Sequence, residues 1–91
     1  MPSPAVYILE CSDGSLYTGS TTDIEKRLHE HNYLKSGAHY TKIRRPVKLV
    51  YFEPLETLGE ARKKENAIKA LTRDQKLRLV KSATSSDNSP L

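Results

Sequence analysis

A tight-turn signal between two strand-like segments is the feature that most limits how this chain can fold. Residues 5–11 are rich in β-branched and aromatic side chains, Asp13-Gly14 lies just beyond them, and residues 16–20 resume the strand pattern. Asp-Gly between two such segments is a strong short-range signal for a β-hairpin, because glycine accepts the backbone angles that tight turns require. The chain is therefore expected to begin with two antiparallel strands.

The length of this turn decides which face of the sheet each side chain occupies. A two-residue Asp13-Gly14 loop would pair Tyr7 with Ser20 and place Tyr7 and Tyr17 on opposite faces, because side chains alternate along a strand. A loop one residue longer, or a bulge in the second strand, would bring both tyrosines to one face. The sequence alone leaves both registers open.

Three residue pairs with capping-box spacing predict where the helices begin. They are Thr22 with Glu25, Thr57 with Glu60, and Thr72 with Gln75. The predicted helices run from about residue 23 to 33, from after Thr57 to about residue 71, and from about residue 73 to 81, the last with Leu77 and Val80 facing inward. A loop through residues 39–41 leads to a third strand at residues 47–52, whose start is set by Pro46.

The resulting order, β-β-α-β-α-α, predicts an α+β fold with a small three-stranded antiparallel sheet flanked by helices, since so few strands cannot bury themselves. The chain of 91 residues is long enough for one such domain, over residues 1–81. Residues 82–91 contain four serines and little that could be buried, so they are predicted to form a disordered C-terminal tail.

The distribution of charge says more than the net charge of +4. Residues 1–25 contain four acidic and no basic residues, whereas residues 62–81 contain eight basic residues against two acidic ones. Such segregation suits a polyanionic partner, although basic helices can also serve only to keep a small protein soluble. The single cysteine, Cys11, and the lack of a signal or a long apolar run predict a cytoplasmic protein without membrane contact.

One carboxylate interrupts the apolar stripe of the second helix. Leu58, Ala61, Ile68 and Thr72 recur at helical spacing, and Glu65 occupies a position in the same series. A carboxylate there either binds something at the edge of the core or pairs with Lys64 or Lys69.

Together these residues resemble the GIY-YIG nuclease family in order and spacing. The resemblance rests on Val6-Tyr7-Ile8, Tyr17-Thr18-Gly19, Arg27, His31 and Glu65, and it extends over residues 4–81. Valine replaces the first glycine of the motif and threonine replaces its second isoleucine, so no reactive group is lost. The compact form is similar to small stand-alone bacterial members. The resemblance implies a metal-dependent endonuclease that hydrolyses DNA, with roles in repair or recombination on structured or damaged substrates.

Five residues are the expected catalytic set: Tyr7, Tyr17, Arg27, His31 and Glu65. Glu65 would bind one divalent ion, Mg²⁺ or Mn²⁺, because hard cations take oxygen ligands and accept a single carboxylate with water and phosphate. Arg27 would bind phosphate, unless it only pairs with Asp23 or Glu30. Tyr17 is the candidate general base and Tyr7 would position the water, while His31 could assist them or be structural.

A basic loop ahead of the third strand is predicted to contact nucleic acid, DNA ahead of RNA. Its members are Lys35, His39, Tyr40, Lys42, Arg44 and Arg45. Gly19 on the hairpin is counted with them, because a glycine would let the backbone turn tightly next to the site. A protein partner could supply targeting, because no separate DNA-binding domain fits in this chain. Two alternatives stay open from the sequence: a nucleic-acid-binding module that does not cut, and a basic module that docks on an acidic protein.

Overall fold

Three strands form one antiparallel sheet in the computed structural model, which describes residues 3–34 and 37–88, with side chains described as far as residue 82. They are β1 (Ala5–Glu10), β2 (Leu16–Thr21) and β3 (Lys48–Pro54), in the spatial order β2-β1-β3. The central position of β1 explains why residues 5–9 are all buried. The predicted antiparallel sheet is confirmed, with β3 starting one residue later and ending two residues later than the pattern indicated.

Four helices accompany the sheet, and the predicted order of elements is confirmed with one short addition. They are α1 (Ile24–Tyr33), α2 (His39–Lys42), α3 (Leu58–Lys69) and α4 (Arg73–Asn88). The four-residue helix α2 lies where the sequence predicted a loop. Its four residues carry no apolar periodicity, so local pattern gives no sign of it.

The predicted helix starts differ in how well they match the structure. The capping box of Thr57 and Glu60 is present with both of its hydrogen bonds, and Thr72 and Gln75 bond reciprocally ahead of α4. The expected box at Thr22 is wrong, because Asp23 is the N-cap of α1 and its carboxylate accepts from the Lys26 amide at 3.2 Å. Asparagine, aspartate and serine are the strongest N-cap residues, so Asp23 prevails over its threonine neighbour.

Helix α4 is longer than the sequence pattern indicated. It continues from the predicted end at Lys81 to Asn88, so the first part of the segment expected to be a disordered tail is helical. Residues 89–91, the remainder of that segment, lie outside the described residues. Leu79 and Val80 pack toward the sheet, whereas Leu77, predicted to face inward, is exposed.

The sheet carries a hydrophobic cluster on each face. On one face Tyr7, Leu9 and Val47 pack with Ile24 and Leu28 of α1. On the other face lies a cluster of side chains from the sheet, α3 and α4: Val6, Ile8, Leu16, Ile68, Leu79 and Val80. Because the sheet separates the two clusters, side chains from opposite faces can meet only around an edge of the sheet.

Within the described ranges, none of the helices is both long and apolar enough to cross a membrane.

Candidate active site

The two tyrosines lie on the same face of the sheet. Tyr7 is paired with Gly19, and Leu9 is paired with Tyr17, so the side chains of Tyr7 and Tyr17 both point toward α1. The register follows from a three-residue loop, in which the Cys11 amide donates to the Ser15 carbonyl at 2.9 Å and Gly14 has a φ of 84°. The loop is therefore one residue longer than the simplest Asp-Gly turn. Of the two registers that the sequence left open, this is the one that brings both tyrosines to one face.

His31 of α1 lies against both tyrosines. Its Nε2 is 2.9 Å from the Tyr7 hydroxyl, and the ring of Tyr17 meets the imidazole in an edge-to-face arrangement with centroids 5.1 Å apart. The His31 side chain is fully buried. Three predicted catalytic residues from β1, β2 and α1 thus form one contiguous cluster.

Arg27 lies one turn before His31 and extends the cluster toward solvent. Its guanidinium pairs with Glu30 at 3.0 Å, and Glu30 is one of the two ion-pair partners that the sequence offered. The guanidinium also donates a hydrogen bond to Tyr7. Burial acts to lower the pKa of Arg27, but the contacts with Glu30 and Tyr7 outweigh burial and hold that pKa above its ordinary value. The Arg27 side chain is about a quarter exposed, so an incoming phosphate can reach it.

The buried members of the cluster have strongly shifted pKa values. Burial raises the pKa of Tyr7 to about 12, with added effects of Tyr17 and Glu65, against the lowering effect of Arg27. Burial, aided by the positive charges of Arg27 and Arg45, lowers the pKa of His31 to about 4. Near neutral pH the Tyr7 phenol is therefore protonated and the His31 imidazole is uncharged.

Gly19 is required by the close approach of the tyrosines. A Cβ atom at residue 19 would lie 2.5 Å from the Tyr7 hydroxyl oxygen and 3.2 Å from Cε2 of Tyr17. The backbone here does not adopt the left-handed conformation, so the turn expected at this glycine is absent. The missing side chain leaves space for the Tyr7 hydroxyl at the edge strand.

Glu65 reaches the cluster from the other face of the sheet. In the β1–β2 register Ser20 pairs with Val6 and so faces α3, and its hydroxyl donates to Oε1 of Glu65 at 2.6 Å. Because β2 is an edge strand, this contact places the carboxylate beside the end of β2. The Glu65 charge is close enough to raise the pKa of Tyr7. The carboxylate and the tyrosines therefore meet around the β2 edge.

The second oxygen of Glu65 is paired with Lys69. Its Oε2 lies 2.7 Å from the Lys69 ammonium, so the ion pair that the sequence offered as an alternative is present. This hydrogen bond raises the pKa of Lys69. The Lys69 side chain is half exposed and can turn toward solvent or a phosphate, whereas the Glu65 carboxylate, 17% exposed, is held by Ser20.

The donor chemistry of Glu65 suits a hard divalent cation. The carboxylate supplies oxygen, and the Ser20 hydroxyl orients it in the way that outer hydrogen bonds orient metal ligands. Within residues 3–34 and 37–88, no group of three or more His, Cys, Asp or Glu side chains is placed to hold a metal ion. A metal ion held by Glu65 would need water and phosphate as its further ligands.

The two arginines of the basic loop make different contacts. Arg45 donates to the carbonyls of Glu30, His31 and Leu34 at 3.2, 2.6 and 2.7 Å, so it caps the end of α1. Arg44 lies 3.9 Å over the ring of Tyr40 and pairs with Asp13 at 3.1 Å.

Tyr40 and His39 are exposed and Lys42 is half-buried, and the Tyr40 ring is 5.9 Å from that of Tyr17. Tyr40 thus extends the tyrosine cluster outward. Lys35 lies outside the described residues.

Two contributors to the site were not predicted. Thr41 bonds His31, and Ser20 bonds Glu65. The Lys69 pair with Glu65 was offered by the sequence, because Lys69 lies four residues after Glu65 on a helix. Ser20 and Thr41 had no such local signal, because their partners are 45 and 10 residues away along the chain.

Comparisons with known proteins identify the family of this chain. The model of the GIY-YIG catalytic domain matches residues 3–78. A UPF0213 protein of Syntrophus aciditrophicus is 59% identical over 76 residues, which are 84% of this chain and 87% of that protein. A UPF0213 protein of Staphylococcus aureus is 57% identical over 81 residues, or 89% and 98% of the two chains.

Solved structures show the same fold. A solution structure of a protein from E. faecalis has 44% identity and a TM-score of 0.62, covering 92% of both chains. A solution structure of a UPF0213 protein from Bacillus halodurans has 44% identity and a TM-score of 0.56, covering 86% of this chain and 82% of that one. GIY-YIG nucleases act on DNA and generally depend on divalent metal ions. This chain belongs to the GIY-YIG family and is similar to the UPF0213 proteins.

Proposed function

We propose that this protein is a metal-dependent DNA endonuclease that hydrolyses phosphodiester bonds, with a role in repair or recombination on structured or damaged DNA. The observation that carries the proposal is the meeting of two groups at the β2 edge. Tyr7, Tyr17 and His31 lie on one side of the sheet, and Glu65 arrives from the other, held by Ser20. A module that only binds nucleic acid has no need to bring a carboxylate to buried tyrosines.

Phosphodiester hydrolysis needs an activated water and stabilisation of the charge that develops on the phosphoryl oxygens. Arg27 is suited to the second task, because its guanidinium stays ionised and offers several donors to phosphate. Its present partners, Glu30 and Tyr7, hold the guanidinium beside the tyrosine cluster. A phosphate bound there would also offset the positive charge that lowers the pKa of His31.

Tyr7 is the better candidate for accepting the proton of the attacking water, a role that the sequence assigned to Tyr17. The Tyr7 hydroxyl lies 2.9 Å from His31 Nε2, which is an acceptor in the tautomer that carries its proton on Nδ1. A phenol whose pKa is raised to about 12 is almost wholly protonated near pH 7, so it can take a proton from water only while passing its own to a neighbour. Tyr17 packs its ring edge-to-face against His31 and supports this arrangement.

Glu65 would hold the divalent ion, Mg²⁺ or Mn²⁺. A bound ion of this kind lowers the pKa of coordinated water and balances charge on the phosphate and the departing oxygen. The protein's own contribution is to fix the carboxylate through Ser20 and to keep it next to the tyrosine cluster. The half-exposed Lys69 ammonium beside this carboxylate is suited to binding the substrate phosphate.

The proposed DNA contact surface extends from the tyrosine cluster to the segment around α2. Tyr40 can stack on a base, and His39, Lys42 and Arg44 can neutralise backbone phosphates. Two other predicted contacts have structural roles: Gly19 leaves space for the Tyr7 hydroxyl, and Arg45 donates to carbonyls at the end of α1.

The proposal is tested by incubating the purified protein with single-stranded, duplex, flapped and branched DNA in Mg²⁺, in Mn²⁺ and in EDTA. We expect cleavage of at least one substrate that EDTA abolishes. The variants Tyr7→Phe and Tyr17→Phe separate the two roles, since Tyr7→Phe should remove cleavage while Tyr17→Phe, which keeps the ring, should reduce it less. Metal-independent cleavage would contradict the proposal. Salt-sensitive DNA binding without cleavage would identify a binding module instead.

A further inference from the structure

A buried threonine lies behind the catalytic cluster, where the sequence indicated only a loop. Thr41 belongs to α2 and is fully buried. Its Oγ1 is 2.8 Å from Nδ1 of His31 and 2.9 Å from the carbonyl oxygen of Ala38. A continuous chain of hydrogen bonds therefore runs from Tyr7 through His31 and Thr41 to the backbone of Ala38.

The direction of each hydrogen bond in this chain follows from counting protons. The Ala38 carbonyl can only accept, and it already accepts from the amides of Thr41 and Lys42 at 3.1 Å. At 2.9 Å its oxygen and Oγ1 of Thr41 would repel each other unless a proton lay between them, so the single hydroxyl proton of Thr41 is donated there. Oγ1 can then only accept from His31, which requires a proton on Nδ1. In an uncharged imidazole the other nitrogen is then an acceptor, so the Tyr7 hydroxyl donates to Nε2.

We propose that Thr41 is a positioning residue of the nuclease site, which selects the Nδ1–H tautomer of His31 and thereby directs the Tyr7 hydroxyl proton toward Nε2. The inference deepens the proposed function, because the lone pairs of Tyr7 then point away from His31. One side of the Tyr7 oxygen then accepts from Arg27, which can only donate. The remaining lone pair is left to accept the proton of the attacking water.

The opposite tautomer would reverse the polarity of the site. A proton on Nε2 would be donated to the Tyr7 oxygen, and the phenol proton would turn outward. The Tyr7 oxygen would then present its proton, rather than a lone pair, to the attacking water. The low pKa of His31 supports the assignment, because an imidazolium would carry protons on both nitrogens and would have no tautomer to select.

The experiment compares Thr41→Val, which keeps the shape and removes the hydroxyl, with Thr41→Ser, which keeps the hydroxyl. Long-range ¹H–¹⁵N NMR spectra of the imidazole rings report the tautomer directly, and the signals of His31 are assigned by their loss in His31→Gln. We expect the wild type and Thr41→Ser to show the Nδ1–H form. In Thr41→Val we expect a shift toward Nε2–H, with kcat lowered roughly tenfold or more and KM for DNA little changed.

An Nε2–H tautomer in the wild type would overturn the inference, and this measurement does not depend on how well any variant folds. A Thr41→Val protein that keeps the wild-type tautomer and kcat would overturn it as well. The tautomer is read without substrate, so failure of the inference is distinguishable from failure of the proposed function. Wild-type protein with the Nδ1–H form and no nuclease activity would refute only the latter.

Discussion

At the scale of single residues, the site depends on contacts so close that one atom more would disturb them. Gly19 shows this most clearly, because the space of its absent side chain is taken by the hydroxyl end of Tyr7. The sequence marked Gly19 as significant but suggested a turn. The actual reason is steric, and it becomes visible only when the two strands are placed side by side.

Gly19→Ala is therefore expected to displace Tyr7. The added Cβ would lie 2.7 Å from Cζ of Tyr7 and 2.5 Å from its oxygen, so the fold should lose about 1–3 kcal/mol of unfolding free energy, as for other overpacked sites. DNA cleavage should fall as Tyr7 leaves His31. Gly59→Ala is the matched control, since its nearest contact would be 3.8 Å away in a helix, and it should leave the stability unchanged or slightly higher. Urea unfolding checks both, and equal stability of Gly19→Ala and wild type would contradict the account.

The burial of His31 predicts a dependence of stability on pH. The residue is enclosed by Tyr7, Tyr17, Thr41, Arg27, Glu30 and Arg45, and its folded pKa of about 4 lies below the ordinary value of 6.5. Between these two values the unfolded chain binds a proton that the folded chain does not, so stability falls as the pH falls from about 6.5 to 4. The loss should be on the order of 3 kcal/mol.

Urea unfolding at several pH values between 4 and 7.5 measures this loss. His31→Gln should be less stable near neutral pH but should lack this part of the pH dependence. His29→Gln is the control, because His29 is exposed and contacts only Tyr33 among the ring contacts of the described residues. A pH dependence identical in wild type and His31→Gln would show that His31 is not held uncharged.

At the scale of elements, α1 is held in place at its end by residues far along the chain. Arg45 donates to three carbonyls of its last turns, and the Asn32 side chain bonds both the amide and the carbonyl of Val47 at 2.8 and 3.0 Å. Because α1 carries Arg27 and His31, these contacts set the position of two catalytic candidates. Such end contacts satisfy carbonyls that a helix leaves without partners.

Arg45 is accordingly predicted to matter for stability rather than for DNA binding. Arg45→Lys keeps the charge but loses the planar set of donors, so both Arg45→Lys and Arg45→Ala should cost about 1–3 kcal/mol. Lys42→Ala should barely change stability but should lower the salt dependence of DNA binding, with a slope smaller by about one. A lower salt slope together with unchanged stability in Arg45→Ala would show that Arg45 contacts phosphate.

Elements were predictable from the sequence where their signals are local. The Thr57–Glu60 box lies within four residues and appears as predicted, and so does the hairpin around Gly14. Helix α2 was missed because what holds it is remote: Thr41 bonds His31, and the amide and hydroxyl of Ser12 bond the carbonyl of Arg44 just beyond it. The hairpin register was left open for the same reason, since an Asp-Gly signal does not specify the number of loop residues.

At the scale of the whole molecule, the site exists because β2 is an edge strand. Successive residues of β2 face opposite ways, so Gly19 borders the tyrosines while Ser20 reaches Glu65 on the far side. The resemblance to a known family predicted the order of the catalytic candidates along the chain. It could not show Ser20, because that residue acquires its role only when α3 packs against the strand.

The central claim is that Glu65, brought to the tyrosine cluster around the β2 edge, supports metal-dependent cleavage of DNA. The most direct test is the single-turnover cleavage rate in Mn²⁺ of wild type, Glu65→Gln and the control Glu56→Gln, which removes an exposed carboxylate ahead of α3. We expect Glu65→Gln to lose at least a hundredfold in rate while remaining folded, and Glu56→Gln to match wild type. Wild-type cleavage in Glu65→Gln would contradict the account.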